Sequence, residues 1–363
     1  MPKKYKVMRM DLITKVKKAE RLTQEEGEAL YELDLFTLGE LADDIRQKRF
    51  GKKTYFNINR HINPTNVCAD ICKFCAYSAS RKNPNQYTMS HEQILQIAQN
   101  SIEKGAKELH IVSAHNPNDG VEWYMGAFRK IKERFPNVHI KAMTAAEVDF
   151  LHRQYGLSYD EILDMMIDSG VDSMPGGGAE IFDENVREYL CKGKVTSNGW
   201  LEIHQKWHNR GKQSNATMLF GHVESRANRI DHMIRIRDLQ DRTGGFNAFI
   251  PLVYQRDNNF LKVKEYPTGQ EILKTYAISR ILLDNIPNIK AYWATSTINL
   301  ALIAQEFGAN DLDGTIEKEA IQSAAGAKSA NGMELEDFVA LIKNSGFIPV
   351  ERDSLYNELQ LYS

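Results

Sequence analysis

After residue 50 the apolar and polar positions settle into a repeat. Short runs rich in β-branched and aromatic residues alternate with longer stretches whose apolar residues recur at helical spacing, the pattern of parallel βα units. Eight runs read as strands: Tyr55–Ile62, Glu108–Ala114, His139–Thr144, Val171–Met174, Ser214–Phe220, Ala248–Tyr254, Ile289–Ser296 and Asp311–Ile316. Several of the helices between them open on capping boxes, where a hydroxyl and an acid or amide three residues later satisfy the first free amides. Ser90 with Gln93, Ser158 with Glu161 and Thr268 with Glu271 all fit. Eight such units predict an α/β fold, a (β/α)8 TIM-type barrel rather than a doubly wound sheet. An open, partial barrel is the variant if the last run is not a strand. Residues 1–52 read as a helical extension packed on the barrel, with Leu33, Phe36, Leu41 and Ile45 on its buried face, and residues 53–363 as the barrel with C-terminal helices.

Composition narrows the class without naming it. Of 363 residues, 42% are hydrophobic and 26% charged, ordinary for a globular protein. A net charge of −2 gives no electrostatic case for nucleic acid as a partner. The basic lean of the first eighteen residues (Lys3, Lys4, Lys6, Arg9, Lys15, Lys17, Lys18) is broken by Asp11 and reads as a solvated helix face. No apolar run approaches the ~20 residues that cross a bilayer, and no signal peptide opens the chain. The expectation is a cytoplasmic protein without a membrane partner, where thiols stay reduced.

That expectation gives meaning to Cys68-Ala-Asp-Ile-Cys72-Lys-Phe-Cys75, which gathers three of the four cysteines into eight residues just after the first predicted strand. Reactive groups of βα barrels come from loops at the C-terminal strand ends, which is where this segment falls. Clustered thiolates are soft metal ligands. A structural zinc site closes with four protein ligands and would need His61 or Cys191 as the fourth, whereas three thiolates on a four-iron cluster leave one iron open. Cys191 follows an apolar helical stretch and reads as a small buried hydrophobe.

Other candidates sit at later strand ends. Ser113-Ala114-His115 follows the second strand and Glu147 the third; the Glu147 carboxylate is placed either to meet a ligand ammonium or to cap a helix. Pro175-Gly176-Gly177-Gly178 follows the fourth, where consecutive glycines imply unusual dihedrals or close approach to a ligand. Gly221-His222-Val-Glu224 ends the fifth, with His222 and Glu224 at strand spacing as acid/base candidates. Arg187, Arg226 and Arg229 are forks suited to carboxylates.

The cysteine spacing, with the aromatic Phe74 before the last thiol, resembles the signature of the radical S-adenosylmethionine (radical SAM) superfamily. Longer segments are more specific: Gly176–Phe182, Trp200–His204, Asn215–Glu224, Thr243–Phe246, Phe249–Leu252, Lys290–Trp293 and Asn310–Thr315 together resemble the aminofutalosine synthase family of the futalosine route to menaquinone. That resemblance implies a [4Fe–4S] cluster on Cys68, Cys72 and Cys75, S-adenosyl-L-methionine consumed as co-substrate, and a one-electron donor of flavodoxin or ferredoxin type. It places Phe74, Ser113, Ala114, Glu147 and Gly221 toward the cofactor, and Gly177, Gly178, Arg187 and Arg229 toward the substrate, 3-[(1-carboxyvinyl)oxy]benzoate. The implied reaction adds the 5′-deoxyadenosyl group to the enol ether and forms 6-amino-6-deoxyfutalosine. Two departures stand out: Ser113-Ala114 replace the family's usual glycines, and Ser323 stands where a histidine is usual. Dehypoxanthine futalosine cyclase shares the cluster, the triple glycine and Gly-His-Val-Glu, and is the alternative enzyme; an iron–sulfur electron carrier is the non-enzymatic one.

Overall fold

The computed structural model describes residues 3–78, 84–263, 265–315, 320–327 and 332–363, with side chains from Met10 onward. Its strands are β1 (Lys53–Asn57), β2 (Asn59–Ile62), β3 (Glu108–Ile111), β4 (His139–Ala142), β5 (Ser173–Met174), β6 (Gln213–Phe220), β7 (Phe246–Val253), β8 (Asn288–Ile289), β9 (Asp311–Gly314), β10 (Ile348–Arg352) and β11 (Glu358–Leu361). Strands β2 to β8 form one parallel sheet in chain order. Strand β9 spans the gap the curled sheet leaves. It pairs with β1 through Tyr55↔Asp311 and Asn57↔Gly314, and meets the chain beyond β8 through a single bridge, Lys290↔Asp311. Because β1 runs into β2 through Ile58, the circuit returns to its start, sparsely linked between β8 and β9. β1 also carries β10 and β11 outward, in a four-stranded sheet ordered β11-β10-β1-β9.

The predicted barrel class is therefore the observed one, with shorter strands. The fourth run shrinks to Ser173–Met174 where Pro175 and the glycines end pairing. The seventh shrinks to Asn288–Ile289, and Trp293–Ser296 is instead a helical turn. The first run divides at Ile58 into β1 and β2, which pair with different neighbours. Ile316 lies outside the described residues.

Ser90 and Ser158 form reciprocal capping boxes with Gln93 and Glu161. Thr268 caps the Glu271 amide, while the Glu271 carboxylate is drawn off to Arg226 and Arg229. At the N-terminus the helix Leu35–Phe50 is capped by Asp34 and packs on the helix Gly269–Leu282. Its buried stripe runs through Leu38, Leu41, Ala42 and Arg46. Phe36, expected on that face, is 80% exposed, since it lies about 200° around the helix from Leu38. Arg46 ties the helix to the barrel by donating to the carbonyls of Ala309, Gly51 and Lys53. Among the described residues no helix is long and apolar enough to cross a membrane.

Candidate active site

The cysteine segment leaves the C-terminal end of β2 and is pinned from three sides. Ala69 donates to the His115 carbonyl at 2.8 Å, Lys73 to the Leu190 carbonyl at 2.8 Å, and Phe260 to the Lys73 carbonyl at 2.8 Å. The Asp70 carboxylate sits 2.7 Å from His115 Nδ1, and the His115 ring stacks on Phe150 at 5.0 Å. His115 is thus buried and engaged in holding the loop against the end of β3. All four cysteines are free thiols; Cys72 is buried, and Cys68 and Cys75 are half-buried. Burial pushes the Cys68 and Cys72 thiols up, and the Lys194 ammonium pulls against it at Cys72. Lys194 pairs with Glu180 at 2.7 Å and lies 5.6 Å over the Phe74 ring.

Several predicted ligand contacts turn out to be spent within the protein. Glu147 takes the helix-capping role of its two readings, completing a capping box with Thr144, and its carboxylate also accepts the Ser113 amide at 2.8 Å. Burial raises its carboxyl above the ordinary range despite those donors. The Ala114 amide is likewise taken, by the Thr65 carbonyl. Arg187 donates to the carbonyls of Gly178, Ala179, Ile181 and Val195, and so secures the glycine loop instead of facing an anion. A Cβ on Gly176 would lie 2.8 Å from the β6 backbone, and one on Gly177 2.8 Å from Thr144 Cγ2. Close packing is reason enough for those two glycines; the third, Gly178, has φ +89°.

His222 and Glu224 do meet, at 3.0 Å, but in a turn beyond β6 rather than along a strand. His222 Nε2 lies 3.0 Å from the Leu219 carbonyl, and Nδ1 accepts the Val223 amide. Glu224 accepts the Gly221 and His222 amides and pairs with Arg229 at 2.7 Å. Burial works against its charge, yet His222 and Arg229 hold the carboxyl down at about 2. Arg229 also pairs with Glu271. In this arrangement His222 is engaged with backbone and with Glu224, and Arg229 with Glu224 and Glu271, so none of the three faces an open cavity as the acid/base and substrate-clamp readings required. Gly221 has φ +87°, and a Cβ there would sit 2.6 Å from Pro267.

The open polar surface lies in the barrel core. A cavity of about 160 Å³ is lined by His61 and Asn63 at the end of β2, His110 and Val112 at the end of β3, Asn215 and Thr217 within β6, and Lys290 and Tyr292 just beyond β8. Strand side chains alternate between faces, so Asn215 and Thr217, two apart within β6, share the inward face. His61 stacks on His110 with centroids 4.6 Å apart, and its ring is within 7° of parallel to Tyr292 at 6.4 Å. Lys290 pairs with Asp313, a non-glycine residue at φ +73° whose carboxylate also lines the cavity. Such a backbone costs roughly 1–3 kcal/mol and persists where surroundings over-determine it. One layer below, Lys141 and Glu108 pair at 2.6 Å, both fully buried, and the ammonium holds Glu108 well below the carboxylate range against burial. Burial keeps the histidines neutral, lowering His61 and taking His110 to about 3.

Comparison with known proteins decides the family. A sequence model described as the radical SAM superfamily matches residues 62–236, and one described as the CofH/MqnC C-terminal region matches 243–363. The chain is 40% identical to an aminodeoxyfutalosine synthase of Thermus thermophilus, over 96% of this chain and 95% of that one. This is a radical SAM enzyme. It is also 37% identical to a cyclic dehypoxanthine futalosine synthase of Streptomyces coelicolor, over 94% of this chain and 86% of that one. A 5-amino-6-(D-ribitylamino)uracil–L-tyrosine 4-hydroxyphenyl transferase of Methanococcoides burtonii is 36% identical over 93% and 96%. Among solved structures, methylornithine synthase (PylB) shares the fold with a TM-score of 0.75 at 16% identity, covering 93% of this chain and 97% of that one.

For a radical SAM enzyme the donor set of the cysteine loop is the relevant test. It offers three soft thiols on one loop. Among the described residues no group of three or more His, Cys, Asp or Glu is gathered at metal-binding geometry, so the loop is not drawn together around an ion. Of the two candidates for the fourth ligand of a zinc site, His61 is stacked on His110 in the core, whereas Cys191 shares the hydrophobic cluster with Cys72 and helps to raise its thiol. Three thiols on one loop are the donor set that a cluster with one open iron would take. Single motifs did not point to His110, Lys290, Tyr292 and Asp313 as cavity residues. The signal was present as polar side chains at period two within strands of a fully covered barrel, where both faces are normally apolar.

Proposed function

We propose that this radical SAM enzyme is an aminodeoxyfutalosine synthase, which joins the adenosyl group of S-adenosyl-L-methionine to the enol-ether carbon of 3-[(1-carboxyvinyl)oxy]benzoate. Methionine and carbon dioxide are released and 6-amino-6-deoxyfutalosine is formed, a balance that returns the electron used to open the sulfonium. The observation that carries this reading is the 40% identity over nearly the whole of both chains. Cys68, Cys72 and Cys75 would hold the [4Fe–4S] cluster, which when bound supplies one electron to the sulfonium, drawn in turn from a flavodoxin- or ferredoxin-type donor. The chain's own contribution is enclosure and placement. Asp70 and His115 set the cysteine loop at the mouth of the barrel, above a core whose covered walls keep water and stray hydrogen donors from a reactive carbon.

The cyclase is the second reading, favoured by 37% identity to a cyclic dehypoxanthine futalosine synthase. An anaerobic turnover separates the two. The reconstituted, reduced enzyme is given S-adenosyl-L-methionine and 3-[(1-carboxyvinyl)oxy]benzoate, and the nucleosides are identified by mass spectrometry. Aminofutalosine, lost in Cys72→Ala, supports the synthase. No adduct here, with ring closure of dehypoxanthine futalosine in a parallel reaction, would replace it with the cyclase.

A further inference from the structure

Within the synthase reading, on which this rests, the geometry points to the barrel-core cavity as the subsite for the aryl carboxylate half of the substrate. Its ring lies against the wall formed by Tyr292, His61 and His110, and Lys290 meets its carboxylate. Several observations converge. Cavities of roughly 150 Å³ with apolar linings accept a benzene ring, and this one measures about 160 Å³. Three ring planes line it nearly in parallel, His61 to His110 within 22° and His61 to Tyr292 within 7°. A flat conjugated ligand extends such a stack at offset distance.

His61 Nε2 is enclosed without a hydrogen-bond partner, and a buried nitrogen left so is costly unless a ligand group reaches it. Lys290 spends one of its three N–H donors on Asp313 and keeps donors for an entering carboxylate. The arginines at first sight suited to that carboxylate, Arg187 and Arg229, are occupied by backbone carbonyls and by Glu224 with Glu271. Among the described residues Lys290 is the cation that lines the core cavity. Tyr292 and Lys290 leave β8 two residues apart, so one short segment brings ring wall and cation to the same face.

The test uses the anaerobically reconstituted enzyme and Tyr292→Leu, with Lys290→Gln/Asp313→Asn as a second variant that removes the cation without stranding a buried carboxylate. Steady-state KM is measured separately for 3-[(1-carboxyvinyl)oxy]benzoate and for S-adenosyl-L-methionine. Iron content and the visible spectrum check the cluster, and circular dichroism checks the fold. The expected result is a rise of about tenfold or more in KM for the benzoate, the size of losing an aromatic wall, with the S-adenosyl-L-methionine KM unchanged.

A wild-type measurement stands beside it in case a variant fails to fold. 3-Hydroxybenzoate, a non-reacting ring carboxylate, should shift the His61 and His110 ring resonances in NMR. Unmoved benzoate KM in both variants, or a change confined to S-adenosyl-L-methionine, would overturn the assignment; so would 3-hydroxybenzoate leaving those resonances in place. If wild-type enzyme makes no aminofutalosine, the synthase reading fails, and the 3-hydroxybenzoate measurement still judges the cavity.

Discussion

Acidification from pH 6.5 to pH 5 should unfold this protein through its histidines, before its carboxylates titrate. Burial holds His110 and His232 down to about 3, and His139 and His208 to about 4. His139, His208 and His232 each bond as neutral rings. His208 sits between Thr243 and Ser214 hydroxyls at 2.8 and 2.7 Å, and His139 bonds the Ser173 hydroxyl at 2.7 Å. His232 meets the Thr217 carbonyl at 2.9 Å while its Nδ1 has no partner to receive a second proton.

An unfolded histidine takes up its proton near 6.5, whereas these rings refuse it until far lower. The stability they permit is therefore complete above about pH 6.5 and falls as pH falls toward the folded values. At pH 5 each costs about 2 kcal/mol, and four together on the order of 6–8 kcal/mol, which is comparable to the whole stability of an ordinary domain. Glu147, Asp119 and Asp231, whose carboxyls burial raises, work the other way but are fewer than the buried rings.

Urea unfolding followed by circular dichroism at half-unit steps from pH 7.5 to 5 measures this. A Cys68→Ser/Cys72→Ser/Cys75→Ser variant excludes loss of bound metal as the cause. The slope near pH 5 should correspond to uptake of about three to four protons on unfolding. His208→Gln should be less stable at pH 7.5 yet show a shallower slope. A change below about 2 kcal/mol between pH 6.5 and 5, or a His208→Gln slope equal to wild type, would refute the reasoning.

Three further outcomes are expected. Glu108→Gln strands the buried Lys141 ammonium and should cost about 3–5 kcal/mol in chemical denaturation, with much of it regained in Glu108→Met/Lys141→Met. Arg187→Ala removes the donors to four loop carbonyls and should lower stability by about 3 kcal/mol or more, while Arg187→Lys, where folded, leaves the substrate KM within about twofold because the side chain does not face the cavity. Cys191→Ala should retain full iron loading after reconstitution, whereas Cys72→Ala should lose the cluster absorbance; equal loading of the two would contradict the three-thiol assignment.

Local patterns carried the architecture. Strand and helix periodicity, with the caps at Ser90, Ser158 and Thr268, are properties of a few neighbouring residues, and each reappears in the fold. The three cysteines belong to the same class of signal, since eight contiguous residues deliver them to one strand end whatever the rest of the chain does. Strand ends were less legible. β5 and β8 keep two residues each, because pairing depends on where a neighbour's backbone stops.

Choice among distant partners belonged to tertiary structure, whereas the cap that Glu147 forms with Thr144 was a local option already open in the sequence. Arg187 and Arg229 have the chemistry of anion clamps, and Glu147 and His222 that of ligand contacts, but burial obliges each to satisfy groups close by. The cavity residues reversed that outcome: His61, His110, Lys290, Tyr292 and Asp313 come from four separate strand ends, more than two hundred residues apart, and converge only when β9 brings the sheet back to its first strand. The sequence by itself determined which segments would be strands, helices and a thiol-bearing loop, because those are short-range choices of backbone and patterning. Which polar side chains would be consumed within the protein and which would face an open core was decided by curvature and closure of the sheet, because the cost of burying a charge depends on what the rest of the chain places beside it.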